Sequence, residues 1–288
     1  MPELPEVEII TQDLKQHLIG WTIINVWTDW PRYFGLSGGF NKSRKMLDGR
    51  QILKIERRGK NILFYLSEDY ILAVHLKMTG HFLFFSQKNN PSEALAKGGQ
   101  LSKHIHLIFD LRKGNKMEKL YFSDVRKFGR ILIGKNGWIL NRPEIKKLGP
   151  EPLAITATDF LNLMAQRRGR IKTVLLNQEF VAGVGNIYSD EALYLAKIHP
   201  LSLAVKIPPE KLKLLFIKLI GVLKKSLKLR GATRQDYRDT SGQKGDYFNQ
   251  RLVYARKGSK CDCGGIISTV KIGSRAAHFC PKCQKLYQ

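Results

Sequence analysis

Cysteine is missing from the first 260 residues of this 288-residue chain; all four cysteines fall within the last 28. No disulfide can therefore staple the bulk of the protein, and the clustering points to a reducing, cytosolic compartment and a local metal site. Long apolar runs are missing too, none approaching the ~18 residues of a membrane span. The N-terminus lacks the positive charge of a secretory signal and carries Glu3, Glu6 and Glu8 instead, which argues against secretion. Internal repeats and low-complexity tracts are absent. Acidic residues are scarce: 24 Asp and Glu stand against 49 Lys and Arg, for a formal charge of +25 and a pI near 10.0. Such a balance marks a polyanionic partner more than a small-molecule enzyme. The excess is also uneven. Residues 201–288 hold 19 Lys and Arg but 5 Asp and Glu, which is +14 of the +25, so a uniformly solvated basic surface does not describe it.

What is present suffices for more than one domain, since 43% of the residues are hydrophobic and the length exceeds one typical core. Val7, Ile10, Leu14 and Leu18 recur at helical spacing and predict a helix over 6–19, with Pro5 in its first turn and Gly20 at its stop. From 21 to 140 the texture changes to short β-branched and aromatic runs such as "WTIINVWT", "NILFYL", "YILAVHL", "HIHLIFDL" and "GRILIG", which predict an antiparallel β-sandwich or barrel. The polar stretch 86–103 reads as a long loop within it, and the Pro-rich 141–153 as a linker. Beyond the linker the periods become helical in "DFLNLMAQ", "IKTVLLNQEFV", "NIYSDEALYLAKI" and "PPEKLKLLFIKLIGVLKKSLKL". Residues 230–250 read as a polar loop that orders on binding, and 251–288 hold the cysteines. The expected architecture is an α+β multidomain chain: a β-sandwich over 1–140, a helical domain over 154–250, and a small cysteine domain over 251–288.

Cys261 and Cys263 are followed, sixteen residues on, by Cys280 and Cys283. Two close pairs of thiolates suit a tetrahedral structural zinc site on a hairpin; four reduced cysteines without metal are the alternative. The first pair has a one-residue spacer where two is usual. In "NQEFVAGVGNIYSDEAL" two glycines let the chain turn sharply before Asn186 opens a helix. That arrangement is either a phosphate cradle or an ordinary helical hairpin. Met78 in "VHLKMTG" and Phe128 in "SDVRKFGR" are either core residues or, with Arg126, a wedge for a base stack.

In order and at suitable distances, "MPELPEVE", "HLKMTG", "DVRKFGR", "LGPEPL", "GVGNIY", "IHP" and "FCPKCQ" resemble the formamidopyrimidine-DNA glycosylase family, end to end. The resemblance implies a β-sandwich domain, a helix–two-turn–helix domain and a zinc ribbon, with double-stranded DNA crossing a cleft, and a monomer acting in the bacterial cytoplasm at the nucleoid. It implies excision of oxidised purines and lyase cleavage of the resulting abasic site. Pro2 matches the nucleophile, freed when Met1 is removed. An α-amine has a pKa near 8 (about two units below lysine), so more of it is neutral at pH 7, and a helix start lowers it further.

By the same resemblance Glu3 is the proton shuttle, Glu6 a supporting acid in its pocket, and Lys60 and Arg275 complete the catalytic set. His75, Arg126, Lys172, Asn186 and Tyr254 match DNA-contacting positions. Met78, Arg126 and Phe128 match the residues that fill the void when a nucleotide flips out. One structural Zn²⁺ is implied at Cys261, Cys263, Cys280 and Cys283. Glu8 matches nothing functional. Some positions depart from the family pattern. "SRAA" stands for "GRGT" on the zinc hairpin, "VYARKG" for "VYGRKG", and Arg230-Gly231-Ala232-Thr233 for a "GGTT"-like start to the loop over the lesion. Two other readings differ in substrate or in class. One is an endonuclease VIII-like glycosylase for oxidised pyrimidines, against which "PELPE" rather than "PEGPE" speaks. The other is a catalytically silent DNA-binding zinc-ribbon protein, against which intact Pro2, Glu3, Lys60 and Arg275 speak.

Overall fold

The computed structural model describes residues 1–84, 103–233, 235 and 237–288, so the predicted loop at 86–103 lies, but for Lys103, outside the described residues. The chain forms two compact units. The first comprises Met1–Lys146 with Arg230–Asp246, the second Lys147–Leu229 with Tyr247–Gln288.

In the first unit, helix α1 (Leu4–Leu18) starts two residues before the predicted boundary, because Glu3 is its N-cap and Pro5 fits its first turn. Leu4, Val7, Ile10, Leu14 and Leu18 are all fully buried, as their spacing requires. Each contributes about 1.5–3 kcal/mol of hydrophobic stabilisation. The predicted β region is two four-stranded antiparallel sheets. One has the order β1 (Thr22–Thr28), β6 (Ile105–Lys113), β7 (Lys116–Asp124), β5 (Gly80–Phe84). The other runs β2 (Ile52–Arg58), β3 (Asn61–Leu66), β4 (Tyr70–His75), β8 (Arg130–Lys135). Their inner faces supply one core, with Phe64, Val74, Phe82, Phe109, Phe122 and Ile133 packed with the apolar stripe of α1. Helix α2 (Phe40–Leu47) packs beside β1.

The proline-rich stretch 141–153 is more ordered than a linker. A short helix, α3 (Asn136–Leu140), runs into another, α4 (Pro143–Lys146), whose Ile145 is buried. Residues 230–246, read from sequence as part of the helical domain, pack within the first unit. Arg230, Ala232 and Tyr237 bring them there: Arg230 pairs with Asp13, Ala232 N–H bonds Glu6, and Tyr237 joins the sandwich core.

The second unit contains α5 (Ala157–Ala165), α6 (Ile171–Leu176), α7 (Asn186–Ala196) and α8 (Pro209–Lys228), as the helical periods predict. Thr156 and Asp159 form a capping box at the start of α5. Helix α7 packs on α8, and its Tyr188 hydroxyl bonds Ser226 at 2.5 Å. A two-stranded hairpin, β9 (Ser268–Ile272) and β10 (Arg275–Phe279), packs on α7 and bears Arg275 at its turn.

Candidate active site

The residues marked by sequence divide between the two units. Pro2, Glu3, Glu6, Lys60, His75, Met78, Arg126 and Phe128 lie in the first; Lys172, Asn186, Tyr254, Arg275 and the cysteines lie in the second.

Pro2 is buried, and so are the two acids that follow it. Glu6 Oε2 accepts the Glu3 N–H at 2.8 Å, and the Glu3 side chain closes the reciprocal half of a capping box. The bond fixes the backbone next to Pro2 at the positive end of α1. The second Glu6 oxygen accepts the Ala232 N–H at 2.8 Å. One carboxylate thus joins the start of α1 to the loop segment 230–246.

Lys60 is buried in the turn between β2 and β3, strands that pack against α1. The next residue, Asn61, pairs with His75, and His75 pairs with Arg130 on β8. Burial first, then the charges of Lys77, Lys60 and Arg130, push the His75 pKa down to about 3. His75 is therefore neutral. Its Nδ1 accepts the Lys77 N–H at 3.0 Å, which leaves the proton on Nε2 as a donor. Of the wedge candidates, Met78 is 40% and Phe128 51% exposed, so neither is a core residue. The Arg126 guanidinium lies 4.6 Å from the centre of the Phe128 ring.

In the second unit, Asn186 is the first residue of α7, and its Nδ2 donates to Ala276 O at 3.0 Å, beside Arg275. Lys172, expected among the DNA contacts, is instead fully buried. Its ammonium donates to Asn186 O at 3.0 Å, Ser189 Oγ at 2.8 Å and Asp190 Oδ1 at 2.6 Å. With three donors so engaged, it reaches no phosphate; it holds the turn that carries Asn186. Asp190 Oδ2 in turn accepts both the backbone N–H and Nδ1 of His278 at 3.0 Å, fixing β10 to α7. Glu191, next along the helix, accepts the backbone N–H groups of Leu252, Val253 and Tyr254, each at 2.8 Å. Burial raises its pKa and those three amides pull it back. Tyr254 is thereby held edge-on to His278, 4.9 Å between ring centres. Sequence reasoning misses Asp190 and Glu191, whose partners at His278 and Leu252 lie more than 60 residues further along the chain.

The four Sγ atoms lie within 4.8 Å of one another. Tetrahedral zinc, with Zn–S near 2.3 Å, separates sulfurs by about 3.8 Å. Cys261–Cys283 at 3.9 Å, Cys261–Cys263 at 3.4 Å and Cys263–Cys280 at 3.5 Å match that spacing. The one-residue spacer is accommodated because Gly264 turns back at φ +76°, its N–H bonding Cys261 O at 2.8 Å.

Residues 1–131 match the model of the formamidopyrimidine-DNA glycosylase N-terminal domain, and 148–238 that of the same enzyme's H2TH domain. Residues 258–286 match the zinc finger found in FPG and IleRS. The formamidopyrimidine-DNA glycosylase of Pelotomaculum thermopropionicum is 39% identical over 289 residues, covering 99% of this chain and 100% of that one. The chain belongs to the formamidopyrimidine-DNA glycosylase family. Members of this family are DNA glycosylases with abasic-site lyase activity, and this chain is an enzyme of that class. Solved structures agree with the assignment. A mutant Lactococcus lactis FPG bound to Fapy-dG containing DNA superposes with a TM-score of 0.85 at 34% identity, over 99% of this chain and 100% of that. MutM in complex with carbocyclic 8-oxo-G containing DNA gives 0.84 at 35%, over 99% and 100%. In this family setting Cys261, Cys263, Cys280 and Cys283 are the ligands of one structural Zn²⁺, which four thiolates leave without an open catalytic position. Among the described residues no helix is long and apolar enough to cross a membrane.

Proposed function

We propose that this enzyme excises oxidised purines, formamidopyrimidines and 8-oxoguanine, from duplex DNA and then cleaves the strand, acting in the cytoplasm at the bacterial nucleoid. The observation that carries the reading is the arrangement at the start of α1. Pro2 precedes two buried acids, and the Glu3 N–H is pinned by Glu6 at 2.8 Å at the helix's positive end. The lesions in the DNA of similar solved complexes, Fapy-dG and carbocyclic 8-oxo-G, support the substrate class.

In this mechanism the damaged nucleotide leaves the stack, because C1′ is out of reach within a duplex. Met78 and Phe128 fill the gap, and Arg126 meets the orphaned base; the unstacking costs a few kcal/mol, offset by these insertions and by phosphate contacts. After Met1 is removed, the Pro2 secondary amine attacks C1′. The base departs with the glycosidic electron pair and takes up the proton the amine gives up, Glu3 protonates the ring oxygen as the C1′–oxygen bond breaks and the sugar opens, and the C1′–nitrogen iminium remains. That cation is the electron sink for loss of the 3′ and then the 5′ phosphate, leaving a gap with phosphates at both ends. Lys60, His75, Asn186, Tyr254 and Arg275 hold the backbone phosphates. The zinc ion takes no part in the chemistry; the four cysteines hold the Arg275 hairpin.

Borohydride trapping on a duplex bearing 8-oxoguanine tests the reading. The processed enzyme should give a covalent adduct, and Pro2→Gly should not; an equal adduct from Pro2→Gly sinks the mechanism. Excision of 8-oxoguanine opposite cytosine should exceed that of thymine glycol, the reverse of an endonuclease VIII-like preference.

A further inference from the structure

The wedge residues sit on two loops far apart in sequence. Residues 76–79 lead into β5, and 125–129 lead into β8. Thr79 is 5% exposed and Asp124 not at all. Thr79 Oγ1 donates to Asp124 Oδ1 at 2.5 Å and accepts the Arg126 N–H at 3.0 Å. Asp124 Oδ2 accepts the Gly129 N–H at 2.7 Å and the Tyr33 hydroxyl at 3.4 Å, and its carbonyl accepts the Lys127 N–H at 3.0 Å. The Asp124 carboxylate and carbonyl therefore close the second loop at Gly129 and Lys127, and the Thr79 hydroxyl fastens the first loop to it at Asp124 and Arg126.

The floor beneath them is shared as well. A Cβ at Gly80 would lie 2.7 Å from Phe122 Cζ, and a Cβ at Gly129 2.9 Å from the same atom. Both loops press bare backbone onto a single ring. At their tips Lys77 and Lys127 each have φ +55°, a left-handed conformation that costs roughly 1–2 kcal/mol for a side-chain-bearing residue. Surrounding bonds must over-determine such a backbone for it to persist. These features are more than the sandwich core requires, because a valine would fill the volume of Thr79 without making either bond.

We propose that Thr79 and Asp124 are positioning residues that lock the Met78 loop and the Arg126–Phe128 loop into one insertion unit, so that the three side chains enter the duplex together. The inference rests on the void-filling role proposed above. Inserting independent loops would require each to be ordered at the moment of flipping; a joined pair carries that entropy cost in the folded protein instead.

Thr79→Val and Thr79→Ser test it on two substrates. An 8-oxoguanine duplex presents a void to fill, whereas a single-stranded abasic oligonucleotide presents none. Thr79→Val should slow single-turnover excision from the duplex about ten-fold and leave single-strand cleavage and thermal unfolding near wild type; Thr79→Ser should restore the duplex rate. In a Met78→Ala, Phe128→Ala cycle the two effects should be coupled in the wild type and additive in the Thr79→Val background. Duplex and single-strand rates falling together, or an unchanged duplex rate while Met78→Ala and Phe128→Ala are impaired, would overturn the locking role alone. Normal duplex excision by both Met78→Ala and Phe128→Ala would overturn the void-filling reading, and this proposal with it.

Discussion

Arg230 grips both carboxylate oxygens of Asp13, at 3.0 and 2.7 Å, although the two are 217 positions apart in the chain. The same guanidinium reaches Asp239 at 2.7 Å, and the Thr240 hydroxyl donates to Asp13 at 3.1 Å. Asp13 lies on α1, the helix whose first turn holds Glu3 and Glu6. The segment that covers the lesion in the family reading is therefore fastened to the helix that directly follows the proposed nucleophile.

Arg230→Met should loosen that segment more than it destabilises the protein. The Arg230 side chain is 45% exposed, so the pair contributes about 1 kcal/mol globally after solvent screening. Hydrogen exchange should speed up at Ala232 and Thr240 while α1 keeps its protection. Unchanged exchange over 231–246 would mean the ion pair is not the fastener.

The salt dependence of DNA binding should separate Lys172 from Arg275. Removing one cation that neutralises a phosphate lowers the slope of log K against log salt by about 0.9 in B-DNA. Arg275→Ala should reduce the slope by about that much. Lys172→Met should leave the slope alone and instead cost about 3–5 kcal/mol in urea unfolding, because Asp190 would stay buried without its cation. The variant Lys172→Met with Asp190→Asn should recover part of that loss.

Acid sensitivity should trace in part to His75. The unfolded chain protonates this histidine near its ordinary pKa of 6.5, while the folded protein resists until about 3. The folded state binds fewer protons in that window, so its stability falls as pH drops below 6.5 and does not depend on this group above it. In His75→Gln that part of the slope should vanish from urea midpoints measured between pH 6.5 and 4. Binding of DNA by the wild type should show no inflection from His75 between pH 6 and 8, because the contact proposed for it uses a neutral imidazole.

Stripping zinc with a strong chelator should unfold the β9–β10 hairpin and leave the sandwich intact. The ribbon's core is small, with Tyr194, Val253, Ile267 and two of the cysteines, and structural zinc supplies about 10–16 kcal/mol of apparent binding energy to such domains. Burial pushes the Cys283 thiol up to about 12, so zinc must expel a proton there at neutral pH. Calorimetry in buffers of different protonation enthalpy should register that release.

The β-sandwich, the helices and the cysteine site are legible because each leaves a periodic or spaced signature: the α1 stripe, the alternating strands, the paired thiols. The roles of Asp124, Asp190 and Arg230 are not. Their partners lie at Thr79, Lys172 and Asp13, and a single sequence carries no signal for a pairing that only the fold creates. β2 leaves no clear signature either, because "ILKIERR" mixes charge into a strand whose outer positions face solvent. Lys172 misleads for the same reason. The resemblance places it among DNA-contacting positions, and only burial and its partners show that its three donors face inward.

The chain's path between its two units has a practical corollary. It leaves the first unit after Lys146, returns at Arg230 and departs again after Asp246. No pair of consecutive gene fragments can therefore encode the two folds separately. A fragment ending at 146 would leave the carboxylates of Glu6 and Asp13 facing the place of a strap it no longer encodes, and a fragment starting at 147 would carry that strap with nothing to close on. Modular shuffling between family members would have to move two separate pieces at once, or supply the 230–246 strap as a peptide in trans.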